Sequence, residues 1–411
     1  MRTIYSFLVY IVIILSPLII VYRIFKKKEN PIRFLEKFSI NKKKRYQGKL
    51  VWFHCSSVGE LLSVIPLIQA FEKKLTIKQI LVTTSTLSSS KIFEKFKFKK
   101  TVHQFYPLDN ILIIKNFLDH WSPSTAIFVE SEIWPEMISE LKRRKIKVVL
   151  TNARMSERSF KRWFSIKFFG KKILEKFDYI FPQNKETFVY LKRLGVKKLK
   201  FLGNLKFINN ESNNIKNIKK QYFRNKVVFC SASTHQNEEE IFANLHIKFK
   251  KKIPKLITII IPRHVERTDE IIQMLKKKSL KYIKHSENKK NLNDCDIYVV
   301  DSYGESKSFY KISNVVFLGG SLVPKGGQNP LEALRFGCNI LHGKYTFNFK
   351  DVYKMLGKED LSLKVSGSKD LEKKAFSLFK KRKNNSRKIK KIKKIGNLIF
   401  KKNLNELEGI I

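Results

Sequence analysis

Glu60 and Glu130 are the carboxylates of this sequence best placed for proton transfer. Each follows an apolar run that reads as a buried strand, Leu50 to His54 and Ser124 to Val129, and each leads into a helical stripe. That position is the carboxyl end of a strand, where open α/β sheets bind their ligands. The helix dipole favours a carboxylate there for structural reasons as well. One carboxylate with a raised pKa can take a proton from an attacking hydroxyl. Glu132 follows two residues after Glu130; in extended chain the two share a face. Alternatively Glu132 caps the next helix and only Glu130 faces a ligand.

A second set is cationic and rich in N–H donors. Arg263 follows the strand Leu256 to Ile261, and Lys206 lies in Gly203-Asn204-Leu205-Lys206-Phe207. The stretch 316–343, VFLGGSLVPKGGQNPLEALRFGCNILHG, supplies two glycine pairs and then Asn329-Pro330, which opens a helix that Gly337 closes. Asn329 suits an N-cap, Pro330 the first turn, and Glu332 the far corner of a capping box. The glycines let backbone approach a ligand, and a helix start beside open N–H groups binds anions. This set suits a phosphate, with Glu332 able instead to bond ribose hydroxyls. A base facing a nucleotide leaving group fits sugar transfer from a nucleotide sugar.

Other chemistries lack their residues. The eight histidines are scattered without HxxxH or HExxH spacing, so no metal site is expected. GxxxxGK[ST], GxGxxG and GxSxG patterns are missing. The four cysteines, Cys55, Cys230, Cys295 and Cys338, form no CxxC and read as small buried hydrophobes in a reducing compartment.

The elements that must position these residues alternate strand and helix twice. The first array runs through strands at Leu50–His54, Gln79–Thr84, Val102–Tyr106, Ser124–Val129, Val148–Thr151 and Tyr179–Pro182. The second has strands at Val227–Ser231, Leu256–Ile261, Asp296–Val300, Val315–Leu318 and Cys338–Leu341. Polar Asn- and Lys-rich chain separates them. Two doubly wound α/β domains follow, with a cleft expected to collect Glu60, Glu130, Lys206, Arg263, Gly304 and the glycine loop. The boundaries read as 1–28 membrane anchor with basic flank, 29–207 first domain, 208–225 linker, 226–385 second domain and 386–411 basic helical tail.

Residues 3–22, TIYSFLVYIVIILSPLIIVY, are almost wholly apolar and long enough to cross a bilayer. Arg23, Lys26, Lys27 and Lys28 follow, which places the body of the protein on the cytoplasmic side. No small-x-small site suggests cleavage. The formal charge is +49, which favours polyanionic partners, although lysine spread over nearly every helix surface also fits a biased genome composition.

Ordered along the chain, HCSSVGE, ESEIWPE, TNARMSERSF, GNLKF, SASTHQNEEE, IPRHVER, DSYGES and GGSLVPKGGQNPLEA resemble the Kdo (3-deoxy-D-manno-octulosonic acid) transferases of lipopolysaccharide synthesis over roughly residues 30–360. The resemblance implies a glycosyltransferase-B type fold and inverting transfer of Kdo from CMP-Kdo to lipid IVA at the inner membrane, without cofactor or nucleic-acid partner. It implies Glu60 as general base, with Glu130 and Lys206 stabilising the transition state. CMP would be held by Arg263, His264, Tyr303, Gly304, Glu305, Asn329, Pro330, Leu331 and Glu332. Gln328 departs from the family's usual histidine in GGHNPLE and cannot carry charge there. Two other readings compete. One is another nucleotide-sugar transferase on the same scaffold. The other is a membrane-tethered polyanion binder, for which the basic residues are too dispersed and no recognition motif accompanies them.

Overall fold

Strand β1 (Leu50–Cys55) is buried at every residue, as are β2 (Gln79–Thr84) and β4 (Thr125–Val129). Both faces of such strands are covered, so they read as continuous apolar runs without alternation. With β3 (Thr101–Phe105), β5 (Lys147–Ala153) and β6 (Tyr179–Pro182) they form a parallel sheet ordered β3-β2-β1-β4-β5-β6. A second parallel sheet contains β7 (Val227–Thr234), β8 (Leu256–Pro262), β9 (Tyr282–Lys284), β10 (Ile297–Val299), β11 (Val315–Leu318), β12 (Asn339–His342) and β13 (Ser362–Lys364). Its order is β13-β12-β11-β7-β8-β10-β9. The expected doubly wound strands are present, and two three-residue edge strands, β9 and β13, are added. Edges this short are only partly buried and leave little periodicity to read.

This computed structural model describes residues 2–40, 43–208, 220–287, 292, 294–380 and 385–411. Most of the linker expected at 208–225, residues 209–219, lies outside them. The chain divides into one unit of Met1–Asn210 with Ile395–Ile411 and another of Glu211–Lys394.

In the first unit one sheet face carries Trp52, Phe117, Trp121, Phe128 and Met137. Trp52 lies 5.0 Å from Phe117 and 5.4 Å from Phe128, ring centre to ring centre. The other face carries Val51, Phe53, Ile65, Ile68 and Phe71, joined from the far end of the chain by Leu407 and Ile410. The tail expected as a separate basic segment is therefore, in its distal part, core of the first domain. The helix Asn385–Ile410 hides its apolar stripe among lysines, and Lys200 and Lys74 pair with its Glu406 and Glu408. Leu407→Ala is expected to cost about 2–5 kcal/mol, read by denaturant unfolding.

The apolar N-terminus is helical over Arg2–Phe25. Tyr5 donates a 2.5 Å hydrogen bond to Asp109, and Ser16 and Ile20 are buried, so one face lies on the first domain. Phe7, Ile14, Leu18, Val21 and Phe25 share the opposite face by helical spacing and are exposed, Ile14 by 76% and Phe25 by 82%. Among the described residues no helix is long and apolar enough to cross a membrane.

Candidate active site

In the first sheet the chain winds outward from β1 through β2 to β3, then returns to the other side of β1 as β4. In open sheets of this kind ligands bind beyond the carboxyl ends of the strands flanking the reversal, here β1 and β4. Glu60 follows β1, and Glu130 and Glu132 follow β4.

Glu60 sits in the first turn of helix Val58–Glu72. Ser57 caps that helix, accepting the Glu60 N–H at 3.3 Å, while the Glu60 carboxylate accepts the Ser57 hydroxyl at 3.1 Å and the Ser56 N–H at 2.7 Å. These bonds, a variant of the capping box in which the carboxylate takes the N–H of the residue before the cap, fix its rotamer. Burial pushes Glu60 up to about 7, and the neighbouring charges of Glu130 and Glu132 add to the shift. The bonds from Ser56 and Ser57 act in the opposite sense. A carboxylate titrating near neutrality is suited to general base work.

Glu130 follows β4 directly, in the left-handed region at φ 62°. That conformation is held from both sides: its N–H donates to Thr151 O at 3.0 Å and its carbonyl accepts from Arg154 N–H at 3.2 Å. The turn separates the side chains of Glu130 and Glu132, which extended chain would have aligned. Glu130 is 5% exposed and pairs with Lys206, Nζ to Oε1 2.5 Å. Lys206 is brought there by two asparagines. Asn204 Oδ1 accepts its N–H at 2.9 Å, and Asn152, also left-handed at φ 52°, accepts the Leu205 N–H at 3.0 Å.

Glu132 does not cap the following helix. Asp109 does so, accepting the N–H groups of Glu136 at 3.1 Å and Met137 at 2.9 Å. Glu132 turns instead to His54 Nε2 at 3.1 Å and Trp134 Nε1 at 2.8 Å. Burial would raise it, but these donors outweigh burial and hold it below the usual carboxylate range. His54 is fully buried, stacked 3.7 Å from the Tyr106 ring, with Nδ1 3.0 Å from Thr83 Oγ1. Trp52 Nε1–H donates to the same hydroxyl at 2.9 Å. With the Glu132 carboxylate as acceptor, His54 Nε2 carries the proton of that bond, while Nδ1 also lies 3.3 Å from the Thr83 carbonyl oxygen.

In the second domain strand order reverses between β7 and β11. Arg263 and His264 follow β8 and are exposed; the Arg263 N–H donates to Thr234 O at 2.9 Å. Tyr303 is 60% exposed and donates to Glu266 at 3.0 Å. Gly304 has φ 86°, and Glu305 beside it is buried. Asn329 Oδ1 accepts the Leu331 N–H at 3.1 Å, as a cap should. Among the described residues no bond from Glu332 returns to close a capping box, and the helix itself, Leu331–Arg335, has five residues. So short a helix has little dipole to offer an anion. Leu331 is wholly buried with its N–H committed to Asn329, and Pro330 is buried and lacks an N–H. Both shape the loop by packing. Gln328 is held through its carbonyl, which accepts the Tyr353 hydroxyl at 2.8 Å.

The glycine turn also differs from expectation. Its N–H groups are not open: those of Gly320, Ser321 and Leu322 donate to the carboxylate of Glu238.

Residues 32–209 match the model of the 3-deoxy-D-manno-octulosonic-acid transferase (Kdo transferase) family. The chain is 33% identical to the 3-deoxy-D-manno-octulosonic acid transferase of Rickettsia bellii over 90% of this chain and 89% of that protein. It is 32% identical to the Haemophilus influenzae protein of the same name over 78% of this chain and 76% of that one. The chain belongs to the Kdo transferase family. In fold alone it also matches the UDP-GlcNAc 2-epimerase of Neisseria meningitidis: 14% identity, TM-score 0.59, covering 87% of this chain and 100% of that one.

In this Kdo transferase the first domain gathers three carboxylates of different character. Glu60 is poised near 7, Glu130 is paired with a cation, and Glu132 is held low by His54 and Trp134. Sequence reading singled out Glu60, Glu130 and Lys206 but not His54, Trp134, Asn152 or Asp109. His54 ends an apolar run and looked like core; only proximity reveals its partner. Among the described residues no cluster of His, Cys, Asp and Glu is arranged to hold a metal ion.

One consequence is a measurable pH effect. Glu132→Gln removes a negative charge that raises Glu60, so the Glu60 pKa falls. The acid limb of kcat/KM, which rises as the base deprotonates, is expected to move to lower pH. An unmoved limb would show that the two carboxylates are not coupled.

Proposed function

We propose that this Kdo transferase moves Kdo from CMP-Kdo to lipid IVA with inversion, from a position on the cytoplasmic face of the inner membrane. The observation that carries the reading is Glu60, held by this variant of the capping box and raised to about 7. In the step proposed, Glu60 takes the proton of the acceptor hydroxyl as its oxygen bonds to the anomeric carbon of Kdo. The bond from that carbon to the phosphate oxygen breaks, and CMP leaves with the electron pair. A single displacement of this kind inverts the centre. Lys206, fixed against Glu130, supplies positive charge. Arg263 and His264 offset the charge of the departing phosphate, and Asn329, Glu332, Tyr303, Gly304 and Glu305 contact the remainder of CMP. Fixed charges of this kind act most strongly where they need no reorganisation as the reaction proceeds.

Membrane placement rests on the helix Arg2–Phe25 and on charge. The exposed stripe Phe7, Ile14, Leu18, Val21 and Phe25 is apolar surface of the kind that marks a membrane or protein contact. The net charge of +49 adds attraction to anionic lipid and to a phosphorylated lipid acceptor.

The test is incubation of the purified full-length protein with freshly generated CMP-Kdo and lipid IVA, reading product masses. A mass gain of one Kdo or more on lipid IVA is expected. Transfer only from another nucleotide sugar, or only to another acceptor, overturns the reading.

A further inference from the structure

Glu60 and Glu238 occupy the same place in their two domains. Each lies in the first turn of the helix that follows the strand beside the sheet's reversal point. Glu60 keeps bonding capacity and charge for a reaction. Glu238 is wholly buried and fully engaged. Its Oε2 accepts the N–H of His235 at 3.0 Å and of Gly320 at 2.7 Å, and its Oε1 accepts the N–H of Ser321 at 3.2 Å and of Leu322 at 3.0 Å. Four backbone donors converge on one carboxylate, two per oxygen. They come from both sides of the reversal, the turn after β7 and the turn after β11. The turn after β11 touches the end of β7 backbone to backbone: a Cβ on Gly319 would stand 2.4 Å from Ser233 O.

Such converging N–H groups form a concavity that binds phosphate in many nucleotide sites. Here a protein carboxylate fills it, so the phosphate must be met by side chains. They are close by. The His235 ring packs on Gly320, where an added Cβ would meet His235 Cδ2 at 3.0 Å and Lys325 Cβ at 3.3 Å. The His235 and His264 rings are 6.0 Å apart. His235 Nε2 is shielded from solvent and has no hydrogen-bond partner among the described residues. Burial lowers the His235 pKa, and the charges of His264, Lys325 and Arg263 lower it further, which an anion would relieve.

We propose that Glu238 is a positioning residue for the donor site: by occupying the glycine turn's N–H groups it sets His235 and Lys325 beside Arg263 and His264 as the side-chain cradle for the donor phosphate. The proposal rests on a CMP-linked donor. It assigns His235 and Lys325 to phosphate contact and Glu238 to none.

Calorimetric titration of the full-length protein with CMP, together with steady-state kinetics, tests it. His235→Gln and Lys325→Met leave the Glu238 bonds in place and are each expected to weaken CMP about 10- to 100-fold. Glu238→Gln keeps the shape but turns an NH2 toward N–H donors. It is expected to raise the KM for donor by a similar factor while the KM for acceptor stays within about threefold of the parent. A merely structural role would lower stability without that split between substrates. Should Glu238→Gln not fold, Glu238→Asp, whose shorter carboxylate cannot reach both turns, carries the same expectation. Parent-like CMP affinity in His235→Gln and Lys325→Met, or parent-like donor KM in the folded Glu238 variant, overturns the inference and leaves the donor reading intact. A parent protein that does not bind CMP overturns both.

Discussion

Glu60→Gln is expected to abolish Kdo transfer, by on the order of 10²- to 10⁴-fold in kcat, while CMP-Kdo binding survives. The substitution is nearly isosteric, and an amide carbonyl can still accept the Ser56 N–H, so helix Val58–Glu72 keeps its cap. What is lost is the basic oxygen pair. Single-turnover transfer and equilibrium donor binding should therefore separate: the first collapses, the second stays near parent. Loss of donor binding with retained turnover of bound donor would refute the role.

The same variant carries a stability signature with a definite sign. Glu60 is raised in the folded state from its ordinary 4.5 to about 7, so the native protein binds the proton more tightly than the unfolded chain. Its contribution is fully present below about pH 4.5 and is lost as pH rises through about 7. Gln has no such loss. Glu60→Gln should thus melt above the parent at pH 8, with the gain vanishing near pH 4. A pH-independent difference in Tm would mean that the native carboxyl is not raised. Catalytic poise and stability oppose each other at this position, a conflict common at active sites.

The second large effect is at the buried pair. Lys206→Met leaves the Glu130 carboxylate, 5% exposed, without the cation 2.5 Å away. The Asn152 amide at 3.5 Å is a weak substitute. Breaking a buried pair from one side costs about 3–5 kcal/mol, most of it the desolvation of the stranded charge. Glu130→Gln combined with Lys206→Met removes that charge and should recover much of the lost stability. Transfer should not recover, because the positive charge proposed to act in the transition state is gone in both. Denaturant unfolding and kcat, measured on both singles and the double, form a cycle that separates the two contributions. If the double variant regains transfer along with stability, Lys206 is structural only.

Sequence and structure meet most closely at the strand ends. Gln79–Thr84, Tyr179–Pro182 and Val315–Leu318 are strands with the bounds that their apolar runs imply. Glu60, Glu130 and Arg263 fall after strands, as read. This was legible because buried parallel strands are continuous apolar runs and helix starts are marked by local caps, Ser57 and Ser156 among them. The parallel order then follows from alternation of strand and helix.

What sequence could not supply is which distant side chain completes each local unit. His54 meets Glu132 from 78 residues away. Asp109 caps a helix that begins well after it and accepts the hydroxyl of Tyr5. Leu407 and Ile410, embedded in a lysine-rich tail, close the core of the first domain. Glu238 reaches the glycine turn 82 residues on, and this changes the chemistry most. Read along the chain, that turn offered open N–H groups to a phosphate; folded, it already holds an anion. Spacing records what lies within a helical turn or along a strand, so the sequence by itself determined the two sheets, the family motifs and the proposed base. Only the tertiary structure decided which buried charges find partners, because that depends on side chains that folding brings together from opposite sides of each sheet's reversal point.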